Sequence, residues 1–185
     1  MHIQAKFLFQ THFRKEIIMD NKIIIRTASA ADAPALLKIY RPYVEKTAIT
    51  FEYQVPSLEE FEERIEKTKQ KFPYLVAEEE GILQGYAYAS VYYNRAAYDW
   101  TVELSIYIKE EAWGKHIGSQ LYASLERNLQ EAGFVNLLVC IALPNNASLT
   151  FHKKHGYEQV AHFKKVGYKF DKWYDIVWMQ KRLLD

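Results

Sequence analysis

The sequence predicts an α+β or α/β layered domain built on one central sheet. Apolar runs of strand type, rich in β-branched and aromatic residues, recur along the chain between turn signals. Helical stretches with four-residue apolar spacing and recognisable caps stand between some of them. Their order reads βααβββαβαββ, with a hairpin early and a strand–helix–strand–helix unit late, which is how a layered domain around a single sheet is written.

The first strand is the β-branched run Lys22 to Arg26, followed by Ser29 as N-cap and Pro34 in the first turn of a helix from about 30 to 40. Pro42 lacks an N–H and is expected to break or kink that helix, leaving Tyr40, Tyr43 and the segment Thr47 to Glu52 irregular. Ser57 and Glu60 form a capping box for a second helix, whose stripe is Leu58, Phe61 and Ile65. A hairpin turns at Glu79-Glu80-Gly81 between Tyr74–Ala77 and Leu83–Tyr92, and Val102–Ile108 alternates as a further strand. Ile117, Leu121, Leu125 and Leu129 mark a third helix that ends at Gly133, and Val135–Ala142 is a buried strand. A short helix from Asn146 to Lys154 ends at Gly156, and two strands near 157–165 and 173–182 close the chain.

With 185 residues, 49% hydrophobic and 25% charged, the chain has the makings of one domain with its own core. Residues 1–18 show no periodicity and read as a poorly ordered N-terminal extension, leaving 19–185 as the single domain. A formal charge of +1 gives no field to hold nucleic acid or an anionic membrane, so neither is expected as a partner. Apolar stretches stay well short of the roughly 18 residues that span a bilayer, and no signal segment is visible, which points to the cytoplasm. Cys140 is the only cysteine and reads as a small buried hydrophobe in a reducing compartment.

Three places could carry chemistry. Trp113-Gly-Lys-His-Ile-Gly118 joins a strand to a helix N-terminus, where free N–H groups and the helix dipole suit a pyrophosphate. Two glycines four apart also serve purely conformational needs. Asn145, Ser148, Leu149 and His152 fall on one face of the short helix, either as a polar wall or as an N-cap with a solvated Ser and His. Glu103 is a carboxylate in a central strand, which is either paired structurally or kept as a base with a raised pKa. No metal-ligand pattern stands out.

In combination these segments resemble the GNAT acetyltransferase family, and within it the phosphinothricin and methionine sulfoximine N-acetyltransferase branch. The resemblance runs through Thr50-Phe-Glu52, Gly85–Ser90, Ala97–Glu103, Ser105–Ile108, Gly114–Gly118, Pro144-Asn145, Phe151–Tyr157 and Gly167-Tyr-Lys169, covering about residues 22–182. It implies a mixed, mostly antiparallel sheet flanked by helices, with acetyl-CoA lying in a splay between two strands. Ile106, Tyr107 and Ile108 would border the acyl donor. Gly114, Lys115, His116, Ile117, Gly118 and Ser119 would cradle its pyrophosphate, with Asn145 and Ser148 nearby. Glu103 would act as general base, and His152, where most of the family has tyrosine, as general acid or substrate-orienting group. Arg95, Tyr93, Phe51, Glu52 and Tyr40 would form the pocket for a small amino-acid-like amine. A homodimer is implied as well.

Departures from the family pattern are Trp113 and His116 in the loop, Tyr93 for a basic residue, and Arg41 after Ile39-Tyr40. Two other readings share parts of this pattern. A protein N-terminal acetyltransferase would need an open peptide groove, which the aromatic residues around Tyr40, Phe51 and Tyr92 argue against. A non-catalytic CoA-binding module would have no need of Glu103 and His152 together.

Overall fold

A computed structural model describes residues 23–184, so the extension expected over residues 1–18 lies outside the described residues. In chain order the elements are β1 (Ile23–Thr27), α1 (Ala33–Lys46), α2 (Leu58–Lys69), β2 (Tyr74–Glu79), β3 (Ile82–Val91), β4 (Thr101–Ile108), α3 (Ile117–Glu131), β5 (Asn136–Ala142), α4 (Asn146–Lys154), β6 (Glu158–Lys169) and β7 (Lys172–Arg182). The strands form one sheet in the order β1-β2-β3-β4-β5-β7-β6.

Successive side chains of a strand point to opposite faces, and the sheet uses this to build two cores. Leu75, Ala77, Ala87 and Ala89 join Leu121, Leu125 and Leu129 of α3 on one face. Tyr74, Val76 and Tyr86 join Leu36 and Ile39 of α1 and Phe61 and Ile65 of α2 on the other. The capping box that starts α2 is formed, with Glu60 N–H donating to Ser57 Oγ at 3.1 Å and Ser57 N–H donating to Glu60 at 2.8 Å.

Pro42 does not end α1, which runs on to Lys46 and carries both Tyr40 and Tyr43. The carbonyl its ring leaves without an N–H belongs to Lys38, and both residues are exposed, so water can take the lost bond. The buried side chains of Tyr40 and Val44 hold the last turn to the core.

Every neighbouring pair of strands is antiparallel except β4 and β5, which α3 connects as a parallel pair. That pairing holds for three residues only, Thr101 with Asn136, Val102 with Leu137 and Glu103 with Leu138. Beyond Glu103, β4 stays on β3 up to Ile108, while β5 follows β7 up to Ala142. The strands part into a fork with Glu103 at its apex.

Candidate active site

The fork opens into a cleft of about 220 Å³. Glu103 to Tyr107 of β4 form one wall and Val139 to Ala142 of β5 the other. Asn145, Ser148 and His152 come from the start of α4, Tyr122 from α3, and Ile49 to Phe51 from the segment after α1. These parts meet because β5 delivers α4 directly to its own splayed end.

Glu103 is half-buried, and burial alone pushes its carboxyl pKa upward. Among the described residues no cation pairs with it, so the carboxylate is held by the fold rather than neutralised by a partner. A carboxylate whose pKa is raised in this way is a stronger base than an exposed one and is suited to accept a proton in a reaction.

His152 is 3% exposed and has both ring nitrogens engaged. Nδ1 lies 2.8 Å from the Ser148 carbonyl oxygen, which can only accept, so Nδ1 carries the proton. Nε2 then presents its lone pair to the Tyr122 hydroxyl at 2.9 Å. Burial lowers the His152 pKa to about 4, opposed by the Ser148 carbonyl and assisted by His155. The ring is therefore neutral at pH 7, a state that fits an orienting group better than an acid. Asn145 caps α4 by accepting from Ser148 N–H at 3.1 Å while its residue also borders the cleft.

The loop before α3 keeps the geometry that an anion needs. Gly114 sits at φ +78°, and His116, standing where the family has glycine, takes the left-handed conformation at φ 59° as N-cap. The N–H groups of Ile117, Gly118 and Ser119 belong to the first turn of α3 and have no helical partner. Gly118 lets α4 close in, since a β-carbon there would lie 3.1 Å from the Phe151 ring. Lys115 leans away toward Glu79 at 3.6 Å. These features, with the splayed strand, fit the pyrophosphate and pantetheine of acetyl-CoA. Ile106 and Tyr107 border the cleft, whereas the Ile108 backbone is already engaged by the Tyr43 hydroxyl and by the Trp113 indole N–H at 3.2 Å.

The residues expected to hold the amine are only partly brought together. Phe51 lines the cleft and rests on Gly167 and Tyr174. Tyr40 lies behind it, bonded to Thr50 at 2.8 Å. One oxygen of Glu52 pairs with Arg64 at 2.6 Å, and the other is buried without a partner among the described residues. Tyr93 and Arg95 lie outside the cleft walls, exposed on the loop from β3 to β4, with the guanidinium 5.3 Å from the tyrosine ring centre.

Among the lining residues that the sequence does not mark as part of the site are Tyr122 and Cys140. Tyr122 adjoins Leu121 in the apolar stripe and looks like ordinary core, yet a buried phenol needs a polar partner, and that requirement was the available signal. Cys140 faces the cleft, its thiol pushed up to about 12 first by burial and then by Glu103, which leaves it unreactive. Among the described residues no cluster of His, Cys, Asp and Glu could hold a metal, and no helix is long and apolar enough to cross a membrane.

Residues 25–178 match the acetyltransferase (GNAT) domain. The chain is 34% identical over 157 residues to a phosphinothricin N-acetyltransferase of Streptomyces viridochromogenes, covering 85% of this chain and 86% of that one. A Sinorhizobium meliloti GNAT phosphinothricin acetyltransferase, solved in complex with acetyl-CoA, superposes with a TM-score of 0.84 at 36% identity, over 88% of this chain and 89% of its own. A ribosomal-protein-alanine N-acetyltransferase from Brucella melitensis gives a TM-score of 0.84 at 37% identity, over 86% of this chain and 99% of its own. The sheet that splays at Glu103, the amide-rich start of α3 and this agreement along most of the described chain together show that the protein belongs to the GNAT acetyltransferase family.

Proposed function

We propose that the protein acetylates the primary amine of a small amino-acid-like molecule of the phosphinothricin or methionine sulfoximine type. The observation that carries this reading is the position of Glu103, a half-buried carboxylate without a cationic partner among the described residues, at the apex of the strand fork. Acetyl-CoA supplies the acyl group as a thioester. Ile117 to Ser119 would hold its pyrophosphate through backbone N–H groups, and Ile106 and Tyr107 would border the pantetheine arm.

Glu103 takes a proton from the substrate ammonium, directly or through a water, so that a free amine faces the thioester carbonyl. His152 orients the opposite side of the cleft. Arg95, on the loop leading into β4, grips the substrate's carboxylate or phosphinate with paired hydrogen bonds, and Phe51 covers the acceptor side. Tyr40, Glu52 and Tyr93 support that pocket. The protein works in the cytoplasm as a homodimer, in line with the family resemblance and with Val160, Phe163 and Val166 exposed on the edge strand β6.

The likeness to a ribosomal-protein-alanine N-acetyltransferase favours a second reading, acetylation of a protein N-terminus. Thiol release from acetyl-CoA, measured with phosphinothricin, methionine sulfoximine, methionine sulfone, ordinary amino acids and short peptides, separates the two. The first reading predicts turnover with the amino-acid analogues and little with peptides, and the reverse pattern selects the second.

A further inference from the structure

We propose that Tyr122, held in place by His152, donates the hydrogen bond that receives the leaving thiolate when the acyl group is transferred. The proposal rests on the acetyl-transfer reading and assigns the group that meets the leaving sulfur.

Tyr122 and His152 form a buried polar pair in the lining of the cleft, beside Ser148 and Asn145. Tyr122 is fully buried and borders the cleft, and its hydroxyl lies 2.9 Å from His152 Nε2. The Ser148 carbonyl fixes the proton on His152 Nδ1, so the shared hydrogen between the rings belongs to the phenol. Packing alone does not call for such a pair, because two apolar side chains fill the same space without the cost of burying polar atoms. Tyr157, a few ångströms away in the same aromatic cluster, shows the purely structural arrangement: its hydroxyl donates to Glu126 at 2.9 Å, and Glu126 pairs with Lys181 at 2.6 Å.

The chemistry of the transfer supplies the need. The substrate ammonium carries three protons and the product amide one, so two leave nitrogen. Glu103 takes the first and passes it to water, and the second ends on the thiol. When the carbon–sulfur bond breaks, its electron pair stays on sulfur, and a thiolate stands in the cleft until that second proton arrives. A charged acceptor binds a hydrogen donor more strongly than a neutral imidazole does. The Tyr122 O–H therefore turns from Nε2 to sulfur and stabilises the charge as it develops. Burial drives the phenol pKa far up and the His152 pKa down, so neither group exchanges a proton in the working range. The other titratable groups facing the pair, His155, Tyr157 and Glu126, flank it on the side of the aromatic cluster. Tyr122 is then a catalytic residue and His152 a positioning one.

The variants Tyr122→Phe, His152→Asn, His152→Gln and the double variant Tyr122→Phe/His152→Asn test this in the full chain. Steady-state thiol release and calorimetric binding of acetyl-CoA are measured from pH 5 to 9. Tyr122→Phe is expected to lower kcat ~10²-fold to 10³-fold, the scale of one lost charge-stabilising donor, with acetyl-CoA affinity within about 2-fold and the same pH profile. His152→Asn, which withdraws the Nε2 position, should fall as far, and the double variant no further. His152→Gln returns a carbonyl acceptor near that position but has no titratable proton, and should recover most of the activity. Wild-type kcat in Tyr122→Phe, additive losses in the double variant, or a His152→Gln as slow as His152→Asn would each overturn the assignment. Circular dichroism checks folding, and if Tyr122→Phe is unfolded the His152→Gln and His152→Asn pair decides alone. Absence of thiol release by the wild-type protein with every amine would instead refute the acetyl-transfer reading.

Discussion

The Phe51 ring lies against Gly167 so closely that a β-carbon on the glycine would sit 2.1 Å from it. Two residues further on, the buried Lys169 ammonium donates to the carbonyls of Val44, Thr47 and Thr50 at 2.7 to 2.9 Å. The end of β6 thus fastens the segment that brings Phe51 to the cleft. It caps the C-terminus of α1 at the same time.

Gly167→Ala is expected to dislodge Phe51, because a ring cannot share that space with a methyl group. The overpacking should cost ~1 to 3 kcal/mol of stability. The apparent KM for the amine should rise while acetyl-CoA binding holds. Denaturant unfolding and steady-state kinetics measure both, and an unchanged amine KM would detach Phe51 from the substrate pocket.

Stability should also respond to acid through His152. Its pKa is lowered from the ordinary 6.5 to about 4, so the folded protein binds fewer protons there than the unfolded chain. The stability this group confers is present above pH 6.5 and is lost as pH falls through about 4, with a full size on the order of 3 kcal/mol. Chemical unfolding between pH 7 and 4 should show a decline that His152→Gln reduces, and equal declines in both proteins would contradict the neutral buried ring.

His116 occupies a left-handed position that costs an ordinary residue ~1 to 2 kcal/mol. His116→Gly removes that strain but gives the unfolded chain more freedom, for a net gain of about 0.5 to 1 kcal/mol. A lower melting temperature in the variant would mean that the His116 side chain holds the loop.

The order of strands and helices, the Ser57 capping box and the Asn145 cap follow from local patterns, while α1 and β6 run on past their expected ends, to Lys46 and Lys169. The continuation of α1 past Pro42 depends on Tyr40 and Val44 packing against other elements, which local propensity does not contain. The fork after Glu103 arises from β5 choosing β7 over β4, a long-range decision that reached the sequence reading only through the family resemblance. Tyr122 stayed hidden because its partner, His152, lies 30 residues away.

Arg95→Ala and Arg95→Lys are expected to raise the apparent KM for anionic amino-acid analogues ~10-fold or more while leaving that for acetyl-CoA nearly unchanged. A lysine offers one compact charge where the guanidinium offers a planar pair of donors. Equal effects on an uncharged amine would show that Arg95, exposed outside the cleft walls, does not read the substrate's anion.

The central claim is that Glu103 removes the proton that keeps the amine from attacking, and Glu103→Gln tests it most directly. Acetyl-CoA affinity by calorimetry and kcat for acetyl transfer are measured together from pH 5 to 9. Burial raises the Glu103 pKa, so wild-type activity should fall as pH drops through that raised value, on the acid side, where the carboxylate takes up its proton. The variant should bind acetyl-CoA like the wild type, lose roughly 10²-fold or more in kcat, and lose that acid limb. A variant with wild-type turnover and the acid limb intact would contradict the account.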